Sequence, residues 1–121
     1  MIYCQVDQID FDSVSNQFYV LFKAAHEFRV GPFRQTPTCL YDLDYTFTYK
    51  RKDTADFLPL PDWITATIDN TVSPPQFDLS VQTDTKDNEG DYIISIHAQV
   101  NEMFMDPPPY AQMLIDLEVF D

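Results

Sequence analysis

Tyr41-Asp42-Leu43-Asp44-Tyr45-Thr46-Phe47-Thr48-Tyr49-Lys50 is the stretch that decides the fold. Every odd-numbered residue is apolar or aromatic, and every residue between them is polar. Successive side chains of a strand point to opposite faces, so this alternation describes a strand with one face buried and one in water. The same period recurs in Phe77, Leu79, Val81, in Tyr92, Ile94, Ile96, Ala98, Val100, and in Met113, Ile115, Leu117, Val119. In the last strand Leu114 stands among the polar set Gln112, Asp116 and Glu118. Phe18 to Phe22 is a continuous apolar run, and His26, Phe28 and Val30 alternate with Glu27 and Arg29. Phe, Tyr and Val dominate residues 16–28, and these favour strands over a helix. A short helical turn is expected only over residues 53–57.

Punctuation between the runs agrees with this reading. Pro32, Pro37, Pro59, Pro61, Pro74, Pro75 and Pro107-Pro108-Pro109 lie outside the clearest strand patterns, where a missing N–H costs no ladder bond. Short strands with turn signals about every ten residues predict an antiparallel sandwich or barrel. The turn at residues 86–90 is expected to join neighbouring strands as a hairpin, with Gly90 at positive φ.

The chain has 121 residues, enough for one domain. It is 45% hydrophobic and 22% charged, so it can bury a core. There are 20 acidic and 7 basic residues, a net charge of −13. That balance argues against nucleic acid and anionic membrane surfaces, which need a basic footprint. Residues 1–60 hold 8 acids and 6 bases, whereas residues 61–121 hold 12 acids and the single base Lys86. No apolar run reaches the roughly 18 residues of a membrane span. The first residues lack the basic start and apolar core of a signal peptide. With only Gly31 and Gly90 as glycines, a Gly-rich phosphate loop is excluded.

Cys4 and Cys39 are too few for a four-ligand zinc site. Either they remain two buried thiols or they form a disulfide; the disulfide is the expectation, and it implies an oxidising compartment. No cofactor or metal site is expected. The acidic stretch of residues 84–91 breaks the EF-hand order, because Lys86 falls where an acid is needed, and it reads as a solvated turn. His97 lies on the polar face of its strand and His26 among apolar neighbours. Asp42 and Asp44 sit on one strand face about 7 Å apart, a common spacing on solvated faces. No serine has a nucleophile-elbow context, so no catalytic residue is expected.

The order of several motifs resembles a family. Phe33-Arg34-Gln35-Thr36-Pro37-Thr38-Cys39-Leu40-Tyr41 precedes the alternating strand, and Leu60-Pro61-Asp62-Trp63-Ile64 follows it. Next come Phe77-Asp78-Leu79-Ser80-Val81 and Gly90-Asp91-Tyr92-Ile93-Ile94-Ser95-Ile96-His97-Ala98, with a closing strand at Leu117-Glu118-Val119. This is similar to the cadherin-like and immunoglobulin-like sandwich modules of large extracellular proteins, over residues 18–121. The resemblance implies an all-β antiparallel β-sandwich of about seven to nine strands. It implies an extracellular or cell-surface location, and adhesion, spacing or assembly without catalysis. Trp63 and Tyr92 are the expected core anchors, since an aromatic between two sheets buries about 150–250 Å². The animal calcium motifs of the family are not reproduced here.

A sandwich of this kind needs about 100 residues, so residues 1–17 read as an N-terminal extension. Its strand formers Ile2, Tyr3, Val6, Ile9 and Phe11 are a candidate self-association strand, either added to a neighbouring copy or paired in the chain's own sheet. A head-to-tail contact of that kind closes into a ring or propagates as a fibril. The expected partners are therefore other copies or neighbouring modules. The Pro-rich pieces at Pro107-Pro108-Pro109-Tyr110 and Ser73-Pro74-Pro75 are stiff loops that also offer sites for glycan decoration. The alternative function is a carbohydrate- or protein-binding module, with Tyr41, Tyr45, Tyr92, Tyr110 and Trp63 as the aromatics to inspect.

Overall fold

The computed structural model describes residues 4–39, 41–101 and 108–121. Ten strands run along the chain: β1 (Gln8–Asp10), β2 (Gln17–Val20), β3 (His26–Val30), β4 (Arg34–Thr36), β5 (Leu43–Arg51), β6 (Leu58–Pro59), β7 (Ile64–Asp69), β8 (Gln76–Val81), β9 (Gly90–Val100) and β10 (Tyr110–Phe120). The alternating stretches became β5, β8, β9 and β10. Residues 53–57 bend without forming a helix.

Eight strands make two sheets. One is ordered β2-β10-β9-β5-β6 and the other β3-β8-β7. All pairings are antiparallel except β2 with β10, which run parallel. The remaining pair, β1 and β4, forms a separate two-stranded ribbon. The inner faces close on a shared core. From β9 and β10 come Tyr92, Ile94, Ile96, Ala98, Met113, Ile115, Leu117 and Val119, and from β8 come Phe77, Leu79 and Val81. Phe77 is the hub between the layers, packed edge-on against Tyr45 at 4.8 Å, Phe47 at 5.7 Å and Phe33 at 5.9 Å.

The turn at residues 86–90 corrects the hairpin expectation. β8 belongs to the three-stranded sheet and β9 to the five-stranded one, so the 3-10 turn Lys86–Asn88 crosses between layers. Two anchors account for the crossing. The Tyr92 hydroxyl donates to the carbonyl of Asn88, four residues upstream, at 2.8 Å. The Asn88 amide donates to the Thr83 hydroxyl at 2.8 Å. A tyrosine at the start of the outgoing strand that bonds back to the preceding corner is a recurrent device of immunoglobulin-like sandwiches. Gly90 does adopt positive φ, and a Cβ there would lie 2.7 Å from Arg51 Nη1.

Candidate functional site

The two outer sheet faces differ in chemistry. On the three-stranded sheet, Glu27, Arg29, Thr65, Thr67, Asp78 and Ser80 line a shallow depression together with Phe28 and Leu79. Arg29 ties its strands together, with Nε on Asp78 at 2.8 Å and Nη2 on Asp69 at 2.6 Å. These partners push the Arg29 pKa up. Asp69 is held at about 2, chiefly by the Thr71 hydroxyl and main-chain N–H, with Arg29 next. The outward side chains of this face are polar, and Arg29, Asp69 and Asp78 are paired with one another.

The five-stranded sheet presents a different surface. The pleat of β10 sends Met113, Ile115, Leu117 and Val119 inward and Tyr110, Gln112, Leu114, Glu118 and Phe120 outward. Tyr110 is 65% exposed and Leu114 51%. The register sets Gln112 beside His97 of β9, and His97 beside Thr46 of β5. The His97 ring stacks on Tyr110 at 5.3 Å. Gln112 caps the buried Ser95 hydroxyl at 2.8 Å. Phe18 on β2 adds a second exposed aromatic along the same sheet. β2 pairs only with residues 117–120 of β10. Among the described residues, β10 has no ladder partner on that side over residues 110–116, although β1 lies close by.

A third feature is a cleft of about 610 Å³ beside β4 and the start of β5. Phe33, 1% exposed, lies at its base. Tyr45 and Leu43 contribute from β5, Arg34 from β4, and Asn70, Pro74 and Pro75 from the β7–β8 connection. The β4–β5 connection is fixed by local bonds. The Gln35 amide donates to the Tyr41 carbonyl at 2.7 Å and accepts from the Tyr41 N–H at 3.2 Å. Burial pushes the Tyr45 phenol pKa up, and the Asp42 carboxylate adds to the shift.

The residues singled out from sequence fall in different places. Cys4 and Cys39 form a disulfide, with Cα atoms 5.6 Å apart, that ties the N-terminal segment to the β4–β5 connection. The Tyr41 hydroxyl donates to the Cys4 carbonyl across the same junction. Tyr92 is fully buried and Trp63 half-buried, the two rings meeting edge-on at 5.2 Å. Arg51 lies over the Tyr92 ring at 4.9 Å and donates to the carbonyls of Asp87 and Glu89. Val6 and Ile9 are buried in the chain's own core, and Phe11 packs against Phe33 at 5.3 Å. Ile2 and Tyr3 lie outside the described residues, as does Pro107. His26 bonds the Gln17 side chain at 2.8 Å and stacks on Phe28, and its strand belongs to the other sheet from that of His97.

Sequence reading missed the outer-face pair His97–Tyr110 and the cleft. Leu114 was the one available signal for the former, an apolar residue in the polar register of its strand. The cleft joins residues from three separated segments, and no local pattern marks it.

No family model matches the chain, and no curated protein matches it. Among solved structures, the BTLA ectodomain is similar with a TM-score of 0.53, over 97% of this chain and 98% of that one, at 14% identity. The chain thus has the fold of an immunoglobulin-like β-sandwich.

Proposed function

We propose that this chain is a non-enzymatic, extracellular adhesive module that docks a protein partner on the outer face of its five-stranded sheet. One observation carries the reading: the contrast between the two outer faces. The outward side chains of the three-stranded face are polar, and its Arg29, Asp69 and Asp78 are paired with one another. The five-stranded face exposes Tyr110, Leu114, Phe18 and Phe120 beside polar groups. Aromatic anchors with a polar surround are the composition of protein interfaces. The Cys4–Cys39 disulfide supports an oxidising, extracellular setting. The ordered motifs from Phe33 to Val119 support a module of the cadherin-like or immunoglobulin-like kind.

The test is a screen of the multimerised chain against a panel of recombinant secreted and cell-surface proteins. A specific partner whose binding falls at least about tenfold in Leu114→Arg, and is unchanged in Arg29→Gln, supports the reading. A partner indifferent to Leu114→Arg sinks it.

A second reading, self-assembly by strand addition, is favoured by the edge of β10 over residues 110–116, which has no ladder partner among the described residues although β1 lies close by. An open edge is a template for another strand. Val6 and Ile9 would have to leave their own core to serve as the donor, and the net charge of −13 opposes close approach of copies. Electron microscopy and sedimentation of the non-reduced chain at high concentration decide it. Regular filaments support self-assembly, and a monomer at every concentration rules it out.

A further inference from the structure

The cleft beside β4 and β5 has no part in the partner face, and its chemistry differs from both outer sheet surfaces. Its volume, about 610 Å³, lies within the range of about 300–1,000 Å³ for small-ligand sites. Phe33, Tyr45, Pro74 and Pro75 give it apolar walls, while Arg34 and Asp42 bring one charge of each sign. We infer that this cleft binds a neutral saccharide.

The first argument is the Tyr45 hydroxyl. The ring is locked in place by Phe77 at 4.8 Å and Phe33 at 6.1 Å. The hydroxyl makes no hydrogen bond among the described residues, and none of their buried side-chain polar atoms is left unpaired, so its oxygen is open to solvent. This rigid phenol at the cleft wall therefore presents a hydroxyl to water, where a ligand hydroxyl can replace the water.

The second argument is charge. Among the described lining residues the charged groups are Arg34 and Asp42, and Arg34 Nη2 already lies 3.7 Å from the Asp12 carboxylate. A single carboxylate is far short of the six or so oxygen ligands a hard cation takes. An anion would have to share the Arg34 guanidinium with Asp12 and would face Asp42 as well. A neutral ligand with both an apolar surface and many hydroxyls fits best, and a pyranose ring has both: C–H groups for the aromatic and proline walls, hydroxyls for Asp42, Asn70 and the Tyr45 oxygen. A proline-rich peptide would also suit the walls. Proline carries no N–H, however, so such a peptide brings few donors to the Asp42 carboxylate.

The third argument is preorganisation. The wall between Arg34 and Tyr45 is fixed by the Gln35 side chain bonded to the Tyr41 main chain, and by the Cys4–Cys39 bridge. A site that is already ordered loses little entropy on binding.

The experiment is a ¹⁵N-HSQC titration of the intact chain with cellotetraose, chitotetraose, mannotetraose and maltotetraose, each to about 5 mM, the weak end of binding. A proline-rich decapeptide is titrated in parallel. The expected result is a saccharide-dependent shift of the Arg34, Asp42, Tyr45 and Asn70 amides. Tyr45→Phe keeps the ring packing and should weaken that binding about 5–10-fold, the loss of one hydrogen bond. Asp42→Asn should weaken it too, and Leu114→Arg should leave it unchanged. The inference is overturned if no saccharide shifts the cleft amides or if only the peptide does. It is equally overturned if both Tyr45→Phe and Asp42→Asn bind as the parent does. Because Leu114→Arg reports on the partner face and Tyr45→Phe on the cleft, failure of one proposal is distinguishable from failure of the other.

Discussion

Asp69 sits at the end of β7, where its carboxylate accepts from the Thr71 hydroxyl, from the Thr71 main-chain N–H at 2.9 Å and from Arg29 at 2.6 Å. Each bond favours the ionised form, so the group titrates at about 2, below the ordinary carboxylate range. A carboxylate with a lowered folded pKa binds its proton more readily in the unfolded chain. Its contribution to stability is therefore fully present above the unfolded pKa, roughly pH 4, and is lost as pH falls toward 2. Thr71 ranks ahead of Arg29 as the cause. NMR titration of the Asp69 side-chain carboxyl should thus show a larger upward move of the midpoint in Thr71→Val than in Arg29→Gln. The reverse order would assign the shift to the ion pair. Of these partners only the Asx-like spacing of Asp69 and Thr71 is local in sequence. Arg29 arrives through the β3–β8–β7 register, which no local pattern gives.

At the scale of the element, the crossover from β8 to β9 shows where sequence reading stops. β5, β8, β9 and β10 were legible because each buries one face, and a period of two is the direct record of that burial. The lysine, acids and glycine of residues 86–90 are equally good for a hairpin and for a bridge between sheets. What selects the bridge is Tyr92, whose hydroxyl reaches back to Asn88, and Arg51, which holds the carbonyls of Asp87 and Glu89 from 36 and 38 residues away. Tyr92→Phe keeps the buried ring and strips its hydrogen bond, leaving the Asn88 carbonyl without that donor. The expected cost is about 1–2 kcal/mol, read as a lower urea midpoint with an unchanged slope. A neutral substitution would mean that the corner is held by Arg51 and Asn88 without the phenol. The outer face of the five-stranded sheet, the proposed partner face, was legible only through Leu114. The cleft was not legible at all, because Arg34, Tyr45 and Asn70 converge only once both sheets have formed.

The whole molecule sets one covalent tie against a large excess of negative charge. The Cys4–Cys39 bridge spans a sequence separation of 35 and fastens the N-terminal segment, with Val6 and Ile9, onto the β4–β5 connection. Loop-closure entropy for that separation gives about 3–4 kcal/mol in the chain-entropy account. Opposing it, 20 acids face 7 bases on a domain of 14.1 kDa, and the compact state concentrates their repulsion. Salt screens that repulsion within about 10 Å at 0.1 M. The double variant Cys4→Ser, Cys39→Ser should therefore unfold at lower urea, losing about 2–4 kcal/mol, and should regain part of that loss as sodium chloride rises. Chemical denaturation at low and high salt reads both effects. If the variant loses less than about 1 kcal/mol, well short of that entropy, the burial of Val6 and Ile9 and the β1–β4 ladder hold the segment unaided. The bridge would then serve chiefly to fix the wall of the cleft, and its removal would weaken saccharide binding more than it weakens the fold.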